Sequence, residues 1–431
     1  GDAALVSGLV QALPKARRDL LPLGRLLSMS GMAEKVPAEG RPASGKSASV
    51  RLPILLASLA WAEADPKDVP AAPGHEWFPG AVAADAERIQ RTVTVPPSAG
   101  QWISTGLYAP AGEVVTVSRA GGGNGWRVRI GAHTDNLMGK DSWARWPNIS
   151  IDRALTGSKT MIASAWGGLI YLVVPGGGTR SAVRFQVTGA VEAPWFDLQD
   201  PKSVADWPRR RKAPAPWAEM ACDGLVITVP SESVRGLDDP TALMEWWTRV
   251  HDCYEELRGA PSPQRPERLV EDIQISAGWM HAGYPIMTHG AQERAAAPSM
   301  NLAQLSKSGD WGYFHELGHN YQRGEWTFGG TGEVTCNLFS LYVGHQVCGI
   351  EPWDNPWLQV QKKLRDPHLA AGAPFDKWQG NPGLALMTYA EIQKEFGWEP
   401  FRKAMRAYGD LPEDRKPKDD QQKRDRWVEL L

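Results

Sequence analysis

Residues 311–322, WGYFHELGHNYQ, set two histidines four apart with a glutamate directly after the first. If these three side chains act together, the backbone between them has to be helical. On an α-helix, residues four apart share a face, so His315 and His319 can place both imidazoles on one ion. Glu316 lies about 100° round the axis and can reach the open side of that ion without binding it. That is the mechanical content of the H-E-x-x-H pattern, two ligands and a general base. The neighbouring residues agree with a helix. Asp310 is an N-cap for a helix opening at Trp311. Phe314, Leu317 and Tyr321 form an apolar stripe distinct from the histidine pair. Gly318 allows another backbone to come close.

A catalytic zinc needs a third protein ligand and an open fourth position. Downstream, the candidates are Glu325 and Glu333. Glu325 sits in the glycine-rich stretch RGEWTFGG, where exposure is expected. Glu333 opens the run EVTCNLFSLYVGHQVCG, which reads as a second helix able to present it rigidly to the histidines, and it is the expected ligand. Cys336 and Asn337 follow on that helix; Asn337 could support a ligand, while Cys336 is expected to be packing. The chemistry to expect is hydrolysis by a zinc-activated water, with Glu316 moving the proton and a donor for the oxyanion. Tyr284, Tyr342 and His345 are open alternatives for that donor. The stretch GWMHAGYPIM before the zinc helix reads as an extended edge segment, where Pro285 is tolerable. Trp279, Gly283, Tyr284 and Trp311 flank the expected cleft and are candidate substrate-binding residues.

The rest of the chain bounds the context. Its 431 residues are enough for two or three cores, 42% hydrophobic and 22% charged residues are ordinary for a globular protein, and a net charge of −2 gives no electrostatic case for nucleic acid. No apolar run is long enough to span a membrane. In the first residues, basic follows apolar, the reverse of a signal peptide. The four cysteines (222, 253, 336, 348) contain no C-x-x-C, against a cysteine zinc site. Twenty Trp against nine Phe suits either sugar-binding faces or large cores.

Three regions are expected. Residues 1–85 read as helical, with leucine at helical spacing in ALVSGLVQALPKA and DLLPLGRLLSMSG and a further helix in RLPILLASLAWAEA. Residues 86–196 alternate short β-branched runs with Pro and Gly turns, as in a β-sandwich. Within it, His133 and Asp135 of GAHTDN are expected in a turn capped by the aspartate. Residues 197–431 mix strands and helices around the zinc motif. WPRRRKAPAPWAEM (207–220) reads as a solvated surface linker. DPTALMEWWTRVHDCYEELRG, the stretch ALMTYAEIQKEFGWEPFRKAMRAYGD and the charged C-terminal segment read as helices.

Taken in order, STGLYAPAGEVVTV, IGAHTDNL, WGGLIYLVVPGG, MHAGYPIM, FHELGHNYQ followed by GEVTCNLFSLY, and EFGWEPF resemble the enhancin-like, M-sixty family of zinc metallopeptidases over residues 90–410. The resemblance implies a multidomain α+β protein: a helical N-terminal region, a β-sandwich, then a gluzincin-type zinc metallopeptidase domain with a helical C-terminal part. It implies one zinc ion on His315, His319 and Glu333, with Glu316 as base. It further implies a bacterial mucin-type O-glycopeptidase, secreted, cell-surface or periplasmic, whose export signal is not in this chain. The implied substrate is polypeptide carrying GalNAc-linked O-glycans, cut N-terminal to the glycan-bearing Ser or Thr. The alternatives are a zinc peptidase on unglycosylated chains and a non-catalytic glycan-binding protein of the same fold.

Overall fold

The computed structural model describes residues 31–32, 34–98, 101–121, 123–260 and 265–431. The two helices expected before residue 31 lie outside them. The third is present as α1 (Ala48–Glu63), which buries Ile54, Ala57, Ala60 and Trp61. Trp61 packs on Trp146 and Trp166, with ring centroids 5.3 and 5.8 Å apart.

Among the described residues, eight strands of the β-branched region pair with one another: β1 (Ile89–Val95), β2 (Trp102–Ala109), β3 (Val115–Arg119), β4 (Arg127–Ile130), β5 (Ile151–Ala154), β6 (Lys159–Ile162), β7 (Gly168–Val173) and β8 (Val183–Glu192). All their pairings are antiparallel. β8 passes from one sheet to the other. Its first part pairs with β1 and β3, and Val191 and Glu192 then pair with β2. The switch falls at Gly189, at φ 87°, where a Cβ would lie 2.6 Å from the Val114 carbonyl oxygen. Only glycine fits there. Alternation along β8 buries Val183, Phe185 and Val187 between the two sheets, with Val117 beside them in the same sheet and Val128 and Leu172 opposite.

A second, mixed sheet follows: β9 (Trp195–Asp197), β10 (Trp217–Cys222), β11 (Leu225–Pro230), β12 (Glu267–Glu271), β13 (Met280–His281) and β14 (Ile286–Thr288), in the order β9-β10-β11-β12-β14-β13. β10, β11, β12 and β14 are buried throughout, so both faces are covered. Consecutive residues show which way each points. Ala218, Met220, Leu269 and Ile286 enter a core shared with α3 (Thr241–Arg258), α4 (Leu302–Ser308), α5 (Trp311–Tyr321) and α6 (Gly332–Cys348). Trp217, Val270 and Met287 enter a different core, with α1, Trp143, Trp146 and Trp166. Helix α1 is therefore built into the far side of this sheet. β13 is the edge strand and lies beside α5.

One buried ion pair and one buried arginine join the sandwich region to this sheet. Arg145 grips Asp272 with Nε at 2.9 and 3.0 Å and Nη2 at 2.7 Å. Arg268 reaches Glu219 at 2.8 Å and also donates to the Trp102 carbonyl and the Ser104 hydroxyl. Breaking one partner of such a pair typically costs about 3–5 kcal/mol.

The expected linker at 207–220 is corrected. It is the end of α2 (Pro201–Arg210), a turn, and buried β10. Its charges are not free in solvent: Arg209 pairs with Glu192, Arg210 with Asp206 and Arg211 with Asp238. Trp207 and Trp217 are core residues. The abundance of tryptophan has the same explanation, since eleven of the twenty are buried. The architecture is multidomain α+β, β-rich before a mixed domain whose C-terminal part is helical: α7 (Pro382–Phe396), α8 (Glu399–Gly409) and α9 (Asp420–Leu430).

Candidate metal centre

α5 starts where its cap requires. The Asp310 carboxylate accepts from the backbone N–H groups of Gly312 and Tyr313 at 2.9 and 3.2 Å. Phe314, Leu317 and Tyr321 are buried, and this anchoring turns His315 and His319 toward α6. At Gly318 the two helices touch: a Cβ there would sit 2.4 Å from the Cys336 carbonyl oxygen. This close approach brings Glu333, on the first turn of α6, to the histidine pair.

Three ligand atoms converge. His315 Nε2 and His319 Nε2 are 3.1 Å apart, and Glu333 Oε2 is 3.1 Å from the first and 3.5 Å from the second. Tetrahedral zinc with bonds of about 2.0–2.1 Å separates its ligands by roughly 3.3 Å, so the set fits the ion. Burial and the neighbouring His315 hold His319 below the usual histidine range, which keeps its lone pair available. The ring atoms facing away from this point are also engaged. His315 Nδ1 lies 2.8 Å from Asn337 Oδ1, and His319 Nδ1 lies 2.8 Å from the Gln322 amide, whose other end meets the Thr335 hydroxyl at 2.7 Å. Both partners hold the rings in orientation, and the Asn337 oxygen also fixes the tautomer of His315. Cys336 sits among the potential ligands. Its sulfur lies 3.6 Å from His315 Nδ1, on the side of the ring away from the converging Nε2 atoms, and burial raises its pKa.

Glu316 is buried, and its pKa is raised by burial against the opposing pull of His315, the Ala282 N–H and His281. Among the expected substrate residues, Trp279 is 68% exposed with its ring stacked on His289. Trp311 stacks on Trp357 with centroids 5.3 Å apart. Both backbone groups of Gly283 are held by Asn320, at 3.2 and 2.9 Å, and Tyr284 accepts from Arg268 and carries Arg265 on its ring. Two of the open donor candidates point elsewhere: Tyr342 donates to Glu256, and His345 accepts from Trp398 and faces Glu351. Glu325 pairs with Lys416. Asp135 does not cap an isolated turn; it accepts from His281 and from the Ser276 N–H. Gln322, Asn320 and His281 were not singled out from sequence. Gln322 had a signal, since it lies three residues beyond His319.

A family model for peptidase M60, enhancin and enhancin-like, matches residues 189–430, and one for the N-terminal domain of M60-like peptidases matches residues 84–188. Among curated relatives, TRPM8 channel-associated factor 2 of Bos taurus is 37% identical over 77% of this chain and 36% of its own length. The Homo sapiens protein of that name is 38% identical over 76% and 36%. The chain thus spans about a third of the length of the curated relatives it matches. A Bacillus anthracis protein of unknown function shares the fold at TM-score 0.64 and 21% identity, covering 79% of this chain and 72% of that one. IMPa from Pseudomonas aeruginosa, solved with an O-glycopeptide, shares it at TM-score 0.58 and 16% identity, covering 93% and 55%.

The expectation of a bacterial, secreted, cell-surface or periplasmic protein is corrected by the curated relatives, which come from cow and human and point to a eukaryotic protein. The segments that carried the resemblance serve the fold and the metal, and neither depends on host or compartment. The matched models, the mixed architecture and the converging histidines together place this chain in the peptidase M60, enhancin and enhancin-like, family of metallopeptidases.

Proposed function

We propose that this chain is a zinc endopeptidase that cuts O-glycosylated polypeptide N-terminal to a Ser or Thr bearing a GalNAc-linked glycan. The observation that carries the reading is the convergence of His315 Nε2, His319 Nε2 and Glu333 Oε2 within 3.5 Å of one another, with the Glu316 carboxylate on the adjoining helical position. His315, His319 and Glu333 would hold the ion. When bound, zinc supplies a Lewis acid that makes water nucleophilic near neutral pH. Glu316 takes the proton from the attacking water and hands it to the departing amine. A carboxylate whose pKa burial has raised is suited to both halves of that transfer. Asn337 and Gln322 hold the two imidazoles in place. The exposed ring of Trp279, beside the edge strand, offers a flat apolar face to a sugar. IMPa, which shares the fold, was solved with an O-glycopeptide, and this favours the glycosylated substrate.

A second reading, a binding module that kept the fold, draws support from relatives named for association with a channel. The retained Glu316 speaks against it, because a binder needs no base. Incubating the zinc-loaded chain with one defined peptide, with and without its O-glycan, separates the readings. Mass spectrometry should find a single cut before the glycosylated residue, lost in Glu316→Ala while zinc content stays the same. No cut in either peptide supports the binder; equal cutting of both removes the glycan requirement.

A further inference from the structure

Asp135 belongs to the sandwich side of the molecule, in the loop after β4, yet its carboxylate lies against the edge strand of the catalytic sheet. Arg145 anchors it by donating to the Asp135 carbonyl oxygen at 3.2 Å while gripping Asp272. The Asp135 carboxylate takes the Ser276 N–H and, at 2.9 and 3.1 Å, Nε2 of His281. The other ring nitrogen, Nδ1, faces the Ala282 carbonyl oxygen at 3.2 Å. Both nitrogens therefore face acceptors, and the ring satisfies both only when each nitrogen carries a hydrogen. Asp135 balances the resulting charge.

The residue that His281 pins is the one that meets the base. The Ala282 N–H hydrogen-bonds the Glu316 carboxylate, and the edge strand that carries His281 packs on α5. Immediately after it, Asn320 of α5 clamps Gly283 through both backbone groups and also donates to buried Glu267. Ala282 is thus held between two fastenings, one from α5 itself and one from the sandwich. The Arg145–Asp272 pair, and Arg268 through its bonds to the Trp102 carbonyl and the Ser104 hydroxyl, hold the modules together. The Asp135–His281 pair differs from them, since His281 stays 29% exposed at the cleft edge.

We propose that Asp135 and His281 form a positioning pair in which the sandwich module, through Asp135, orients His281, and His281 fixes the Ala282 peptide against Glu316. This rests on the reading of Glu316 as the base. It makes the N-terminal module a part of the catalytic apparatus: without Asp135 the base keeps its zinc neighbours but loses its fixed direction.

The test uses the full zinc-loaded chain with Asp135→Asn, Asp135→Ala and His281→Gln, the last leaving the buried aspartate in place. In Asp135→Asn, kcat on the O-glycopeptide falls about tenfold, as expected for a slightly misdirected catalytic group. It falls further in Asp135→Ala, and His281→Gln reproduces the loss. KM and zinc content stay near wild type. Amide exchange quickens in residues 280–284 and not in 311–321. Wild-type kcat in Asp135→Ala, or a loss that tracks zinc content or KM, overturns the proposal. If the wild-type chain cuts nothing, the reading of Glu316 has failed. The exchange data then decide the pair alone: quickening at 280–284 upholds its hold on Ala282, and unchanged exchange refutes it.

Discussion

Nδ1 of His315 lies 2.8 Å from Oδ1 of Asn337, one turn along α6 from Glu333, and the same amide donates from Nδ2 to the Glu333 carbonyl oxygen at 2.6 Å. One side chain thus orients a ligand on α5 and anchors the backbone of a ligand on α6. The amide is polarised in one sense only: its oxygen toward the imidazole obliges His315 to carry its hydrogen on Nδ1. Nε2 is left with a lone pair pointing at Glu333 and His319.

Asn337→Leu removes that constraint with little change in volume. His315 is then free to rotate or change tautomer, and zinc affinity should fall by about 10- to 100-fold. Competition with a chelator measures it directly, without substrate. Unaltered affinity would mean that packing alone orients the ring.

Gly318→Ala separates local preference from packing. On an exposed helix the change gains about 1 kcal/mol in propensity. Here the new Cβ meets the Cys336 backbone, with its oxygen at 2.4 Å, and the helices must part. Overpacking of this kind costs about 1–3 kcal/mol. The melting temperature should fall, and zinc affinity with it, because Glu333 moves away with α6.

These local devices explain how much of the molecule was legible in the sequence. The α5 cap, its apolar stripe and the approach at Gly318 are written within a dozen residues, so helix, partner and the convergence with Glu333 could be anticipated. Tyr342 and His345 were open candidates as donors, although a rise of 1.5 Å per residue puts them about 13 and 18 Å along α6 from Glu333. Helix geometry alone was enough to remove them. The run at 207–220 misled because its arginines find acidic partners at positions 192, 206 and 238, all three outside the run and two of them distant in sequence. No window of sequence shows such pairing. The link between Asp135 and His281 spans 146 positions and depends on how the two modules dock. The tryptophan count could not separate core from cleft, because composition carries no coordinates.

Trp279 is where that separation can be tested. Its ring is mostly exposed and contacts His289 on one face, at 5.0 Å between centroids. Trp279→Ala should leave the melting temperature unchanged. If the free face meets a sugar, a contact of about 1 kcal/mol raises KM for the glycosylated peptide roughly fivefold. The unglycosylated peptide should show no change. A fall in stability would instead assign the ring to packing.

Glu271, at the end of β12, links the catalytic sheet to the zinc helix. One carboxylate oxygen accepts from Ser299 and from the Tyr313 hydroxyl at 2.9 Å, while among the described residues no donor reaches the other. Burial pushes its pKa up to about 7, with the charge of Asp310 adding to the rise. The folded state therefore binds this proton more tightly than the unfolded chain does. The associated stability is complete below the ordinary carboxylate range near 4.5 and is lost as pH climbs through about 7. Glu271→Gln keeps the neutral shape and carries no proton to lose. The wild-type chain should lose on the order of a few kcal/mol relative to this variant between pH 5 and pH 8. Melting temperatures of the two across that window measure the difference. Parallel curves would show that the carboxylate titrates alike in both states, or that a donor reaches the second oxygen and holds the charge inside.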